Sequence, residues 1–263
     1  MSVGDKMNLF LRLYNYRELL KSNVKKEIRG KYKGSFLGVL WSFLNPLLQV
    51  AVYAIVFPYI MRVKTDNYLQ YLIVGIIPWT FFTTVLNQGM IAVRMNSGII
   101  KKVYFPREIL PISVALSGLV NFFISCIIIL LFCVFGGLGI SWHLLLLPVF
   151  AIIQFFLCLG IVMALSAINI YIKDVEYIVT FIVNMLFYAT PILYPATLFP
   201  ENIRWILYIN PLTELVEAYR DIFMYHQLPS LLPFAYLVGI TAFIFFIGLL
   251  IFRKLEKGFA EEV

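Results

Sequence analysis

The chain has 263 residues, of which 62% are hydrophobic and 13% charged, and its net charge is +7. Apolar runs longer than about twenty residues exclude a soluble globular domain and describe a polytopic membrane protein. The basic residues flank those runs instead of lining one soluble face, so they read as an orientation signal and argue against a nucleic-acid surface.

In chain order, residues 1–35 are polar and basic without a signal-peptide pattern, so the start is expected to stay attached and cytoplasmic. Within "FLRLYNYRELLKSNVKKEIRGKYKG", Leu13, Tyr16, Leu20, Val24 and Ile28 form one helical stripe, and Arg17, Lys21 and Lys25 form another. That pattern predicts an amphipathic helix along the inner headgroup layer. Ordinary positive-inside anchoring accounts for the basic stripe, and so does attraction of anionic lipid or of a lipid diphosphate substrate.

Six apolar runs, 36–61, 68–93, 109–135, 144–172, 175–194 and 231–252, predict six spanning helices. Alternating their flanks leaves only Arg62, Lys64, Arg204 and Arg220 of the 21 lysines and arginines on one side, which makes both termini cytoplasmic. Trp79, Trp142, Tyr68, Tyr71, Tyr194 and Trp205 fall near the outer interface, as an aromatic belt or as contacts to a substrate. Cys126, Cys133 and Cys158 lie inside apolar runs without metal-ligand spacing and read as packing residues.

Between the second and third runs, "RMNSGIIKKVYFPREILP" offers Asn96 and Ser97 as caps, a short helix over 98–104, and Pro106 as its stop. Ile99, Ile100, Val103, Tyr104 and Phe105 sit there among Lys101, Lys102 and Arg107. An apolar knob with a basic rim fits a protein interface, or a helix resting on the membrane surface. After the fourth run come Lys173, Asp174 and Glu176, with Asp174 a local cap.

The fifth run meets Pro191 and Pro195, each of which removes a backbone donor, so the helix is expected to kink or end there. Residues 202–225 resemble a seventh span, but Asn210 and Pro211 start a new helix whose Leu212, Leu215, Val216, Tyr219 and Phe223 share one face. Glu214, Glu217 and Asp221 fill the opposite face. Holding these or Arg220 at mid-bilayer costs roughly 2.5–3.5 kcal/mol each. The segment fits a plain proline-rich outer loop or a hairpin that dips into the outer leaflet as a lid; the lid is the expectation carried forward.

Every Asp, Glu, Lys, Arg and His lies at or beyond the ends of the six runs, which disfavours ion-coupled transport, and no GxxxxGK[ST] pattern occurs. His143 and His226 stand alone at loop ends, which disfavours a membrane enzyme or a metal site. A passive channel would leave the basic-rimmed knob without a task. Active transport by this chain therefore needs nucleotide hydrolysis on a separate subunit.

Four segments, "GKYKGSFLGVLWSFLNPLLQ" at 30–49, "IIKKVYFPREILP" at 99–111, "NIYIKDVEYI" at 169–178 and "INPLTELVEAYRDI" at 209–222, closely resemble the permease subunits of ABC-2 type exporters of cell-surface polysaccharide. The resemblance covers the whole chain. It implies an all-α integral membrane protein of the cytoplasmic (inner) membrane, formed as one domain over 1–263. In that domain, 1–35 is an interface helix, 36–252 six membrane helices with an outer re-entrant hairpin between the fifth and sixth, and 253–263 a cytoplasmic tail.

It also implies a homodimer paired with two ATP-binding subunits that hold ATP and magnesium, with no cofactor in this chain. Ile99, Ile100, Lys101, Lys102, Val103, Tyr104, Phe105 and Pro106 then form the coupling helix. Pro191, Pro195, Pro200, Trp205, Pro211, Glu214 and Tyr219 belong to the outer gate, and Tyr53, Phe57, Tyr59, Phe81, Phe187, Tyr188 and Tyr194 are candidates to line the glycan channel. Rings suit a moving sugar chain, which packs its C–H faces on them without strong polar contacts. Each of these rings could equally face lipid or core. The implied cargo is a polyprenyl-diphosphate-linked polysaccharide of the O-antigen or teichoic acid type, approaching beside Arg17, Lys21 and Lys25. Permeases for drugs or lipo-oligosaccharides share the fold and are the alternative.

Overall fold

The computed structural model describes residues 9–30, 36, 38–60 and 66–262. Lys6, Lys31, Lys33, Arg62 and Lys64, counted in the charge balance above, lie outside the described residues. Among the described residues all regular structure is helical.

Helices α1 (Leu9–Asn15) and α2 (Arg17–Gly30) run on through one turn, where the Leu20 N–H donates to the Tyr16 carbonyl at 3.0 Å. The expected stripe faces inward, with Leu13, Tyr16 and Leu20 packed on the core and α2 lying against α6 (Ile109–Phe135). Helix α3 (Trp41–Ile60) keeps Pro46 and Pro58 inside it. Helix α4 (Tyr68–Met95) is the centre of the molecule, packed against α3, α6, α7 (Leu147–Tyr171) and α8 (Val175–Ala189). Helix α11 (Leu231–Leu255) packs chiefly on α7. There, a Cβ added at Gly248 would sit 1.9 Å from the Gly160 carbonyl oxygen, so the two backbones touch and neither position has room for a side chain.

Four segments are long and apolar enough to cross a membrane: Tyr68–Met95, Ile109–Phe135, Trp142–Tyr171 and Leu231–Gly258. The fifth predicted span, 175–194, is shorter than expected, and residues 37 and 61 of the first, 36–61, lie outside the described residues. Their helices run over Trp41–Ile60 and Val175–Ala189. The fifth stops where a proline dictates: Thr190, ahead of Pro191, is extended at φ −103° and ψ 135°, because a residue before proline avoids the helical region.

The short helix expected over 98–104 is only Ser97–Ile100 (α5), and residues 103–106 are irregular. Asn96 does not cap it, since its side-chain amide donates back to the Ala92 carbonyl at 2.8 Å. Asp174 precedes α8 without a side-chain cap bond. Trp79, Tyr68 and Tyr71 do not form an exposed belt. They are buried, whereas Trp142 and Trp205 are exposed. The three cysteines are buried, as packing residues should be.

Candidate functional site

The prolines after α8 create a problem that the structure solves locally. Residues 190–193 are buried without helix bonds, and backbone groups freed in an apolar setting need protein partners. The Tyr68 hydroxyl donates to the Leu193 carbonyl (2.7 Å) and the Tyr71 hydroxyl to the Tyr194 carbonyl (2.9 Å). The guanidinium of Arg220 donates to the Ile192 carbonyl (3.1 Å). The Thr190 hydroxyl accepts from the Asn210 amide at 2.9 Å, while the Asn210 side-chain oxygen caps the Leu212 N–H at 3.1 Å. That cap starts α10 (Pro211–Arg220), which follows α9 (Glu201–Ile209), as the Asn-Pro pair predicts.

Arg220 was expected on the outer flank, away from the bilayer interior. It is instead wholly buried, 2.7 Å from Glu217 and with its guanidinium 3.4 Å from the centre of the Tyr71 ring. Gly75 makes the room, since a Cβ there would come within 3.2 Å of the Arg220 nitrogen. Three partners from three segments let the charge sit in the interior. Nearby, Tyr219 is fully buried and donates to Gln154 (2.9 Å), whose amide reaches the Pro78 carbonyl (2.8 Å). Burial raises the Glu214 and Asp221 carboxyls above their ordinary range, and Glu217 adds to this at Glu214. Of the remaining outer residues, Pro191 is buried, Pro195 and Pro211 are half-buried, and Pro200 and Trp205 are exposed.

Four of the seven candidate channel rings come together on one seam between α3 and α8. Tyr53 meets Phe57 at 5.8 Å and Phe187 at 6.1 Å between centroids, and Phe187 meets Tyr188 at 5.3 Å and Trp79 at 5.5 Å. Tyr194 adjoins the seam by donating to the Tyr188 carbonyl at 2.6 Å. Phe81 lies elsewhere, stacked on Phe122 of α6 at 5.1 Å, and Tyr59 is exposed beyond the seam.

At the other end of the molecule, Ile99, Val103 and Tyr104 are exposed on either side of Lys101 and Lys102, with Tyr104 82% exposed. Ile100 and Phe105 are buried beneath them, so only part of the expected knob is surface. Its base is fixed on both sides. Arg12 of α1 pairs at 2.8 Å with Glu108, which is completely buried, and Arg107 donates to the Glu256 carbonyl just past α11. Arg94 at the end of α4 pairs with Glu176 at the start of α8. The basic stripe of α2 is exposed. Lys21 pairs with Glu18 at 2.9 Å and holds that carboxyl below its ordinary value by hydrogen bonding, while Arg17 lies over Tyr14.

Sequence reasoning missed Arg220 and Gln154 as structural centres. Glu217, one helical turn before Arg220, was the available signal for a buried pair. Among the described residues no group of three or more metal-ligating side chains comes together.

A profile of the ABC-2 type transporter family matches residues 18–224. The chain is 36% identical to the O-antigen export system permease protein RfbA of Myxococcus xanthus, over 98% of this chain and 100% of that one. It is 34% identical to the protein of the same name from Klebsiella pneumoniae, over 99% of each. The polysialic acid transport protein KpsM of Escherichia coli is 25% identical, over 89% of this chain and 92% of that one.

Proposed function

The chain belongs to the ABC-2 type transporter family, and on that premise we propose that it is the membrane subunit of an ATP-driven exporter of a lipid-linked cell-surface polysaccharide, of the O-antigen or teichoic acid type. The observation that carries the reading is segment 97–108: an exposed apolar tip rimmed by lysines, whose base is clamped to α1 and to the end of α11. A tip that flexed alone would transmit nothing. One tied to two other helices moves them when a partner pushes it.

The partner is a pair of ATP-binding subunits that hold ATP and magnesium. The permease works as a homodimer, joined where α3 and α8 expose apolar faces that include Leu48, Val52, Ile55, Phe181 and Met185. An unpartnered apolar face of this size suits a second copy or lipid, and pairing two seams of rings gives a glycan its sliding surface. All six apolar helices cross, the short α3 and α8 among them, with both termini in the cytoplasm. Helices α9 and α10 form the re-entrant lid, held through Asn210 and Arg220 to the break after α8. Arg17, Lys21 and Lys25 offer charge to the lipid diphosphate at the inner leaflet.

The test is genetic. Cells lacking the chain are expected to lose surface polysaccharide and accumulate lipid-linked glycan inside, and an intact copy restores export. Unchanged surface polysaccharide together with lost resistance to a drug would transfer the chain to the drug-exporting branch.

A further inference from the structure

The seam of rings joins α3 to α8 and reaches α4 through Trp79. Toward the start of α3 and the end of α4, a cavity of about 460 Å³ opens between α3, α4 and α6, within the range of small-molecule sites, roughly 300–1,000 Å³. Its lining carries Asn45, Thr84, Asn87, Gln88, Asn121 and Ser125 and no charged residue. Thr80 and Thr83, on the same turns, bond back to the Ile76 and Thr80 carbonyls. In contrast, among the described residues no side-chain hydrogen bond satisfies Thr84, Asn87, Gln88, Asn121 or Ser125. Asn121 stands about 18 Å along α6 from Ile109 at 1.5 Å per residue, so these groups lie at membrane depth, with Asn87 exposed and Thr84, Gln88, Asn121 and Ser125 half-buried on the cavity wall. Amides left open there are costly unless something completes them.

The chemistry of the lining says what completes them. A side-chain amide presents a donor and an acceptor side by side, the arrangement that pairs with two adjacent hydroxyls. Trp41 and the stacked rings of Phe81 and Phe122 close the cavity with apolar faces suited to sugar C–H groups. An acidic sugar would bring in a carboxylate with no cation to meet it, which a low-dielectric site disfavours. We propose that this cavity is a binding subsite for an uncharged pyranose unit of the translocated glycan, a stationary hold before the slippery seam. The proposal rests on the export reading and narrows it: the unit that pauses here bears neither carboxylate nor phosphate.

The test uses the permease assembled with its ATP-binding partner in nanodiscs. It is illuminated with dodecyl glucoside carrying a diazirine on the sugar, with the matching dodecyl glucuronide, and with a headgroup-diazirine dodecylphosphocholine. Mass spectrometry is expected to find glucoside adducts on residues 80–88 and 118–125, at least about tenfold fewer glucuronide adducts there, and no headgroup adducts from the phosphocholine. Asn87→Leu and Asn121→Leu should each lower glucoside labelling about fivefold, with the mass of the complex unchanged. Equal labelling by the three probes overturns the proposal, as does a cavity without adducts. So does loss of the assembly in both leucine variants, since the amides would then join protein to protein. ATP-dependent glycan transfer by the same wild-type preparation reads the export assignment separately: transfer without cavity labelling removes the subsite alone, and labelling without transfer removes the exporter alone.

Discussion

Two buried charges at opposite ends of the molecule are held in different ways. Arg220 has an ion pair, a backbone carbonyl and a ring face, from its own helix, from the break after α8 and from α4. Glu108 has one partner, Arg12, on a helix at the periphery; one atom of each charge, Glu108 Oε2 and Arg220 Nε, makes no hydrogen bond among the described residues. The first arrangement is a rivet that fixes how the chain folds back after α8. The second is a clasp that ties the segment to a peripheral helix without locking it to the core, which suits a segment that must pass movement to that helix.

The largest expected effect tests the rivet. Glu217→Ala leaves the Arg220 charge buried without its ion pair and should cost about 3–5 kcal/mol, read as a fall in thermal unfolding temperature in detergent. Arg220→Met removes the charge itself while leaving Glu217, which is 29% exposed, free to reach solvent, so it should cost about half as much. The reverse order would mean that Arg220 is not held by its charge.

The clasp comes next. Arg12→Ala strips Glu108 of its partner and should cost about 3 kcal/mol, since a buried charge left unsatisfied costs more than a neutral group, with export lost while the complex stays assembled. Adding Glu108→Gln should recover part of the stability without recovering export. If both fully return, the pair is packing only.

The smallest effect on stability sharpens the contrast. Tyr104→Ala touches a side chain that is mostly in solvent and should stay within about 0.5 kcal/mol of wild type, yet it should uncouple ATP hydrolysis from export. Phe105→Ala, one residue on, empties a buried site and should cost about 3–5 kcal/mol. The two neighbours therefore separate coupling from folding, and equal loss of stability in both would contradict the exposed tip.

How much of this was legible in the sequence follows from which interactions are local. The apolar runs at 68–93 and 109–135 locate α4 and α6 closely, because length and hydropathy alone decide a span. Asn210 and Pro211 announce α10 because a cap bonds only two residues away. Arg220 was misplaced because its partners at Tyr71 and Gly75 lie far off in sequence, and the spacing within α10 says nothing of them. Asn87, Gln88 and Asn121 interrupt apolar runs, but that they share one cavity depends on how α6 packs on α4. The helix over 98–104 was overestimated because its helix-type bonds end with Val103, which donates to the Ile99 carbonyl, and the residue ahead of Pro106 avoids the helical region.

The central claim is that this chain takes its driving force from a nucleotide-hydrolysing partner through the 97–108 segment. The most direct measurement compares transfer of a lipid-linked glycan in vesicles holding the permease with its partner and ATP, and in vesicles holding the permease alone under a proton or sodium gradient. The account predicts transfer in the first and none in the second. Gradient-driven transfer without the partner would contradict it.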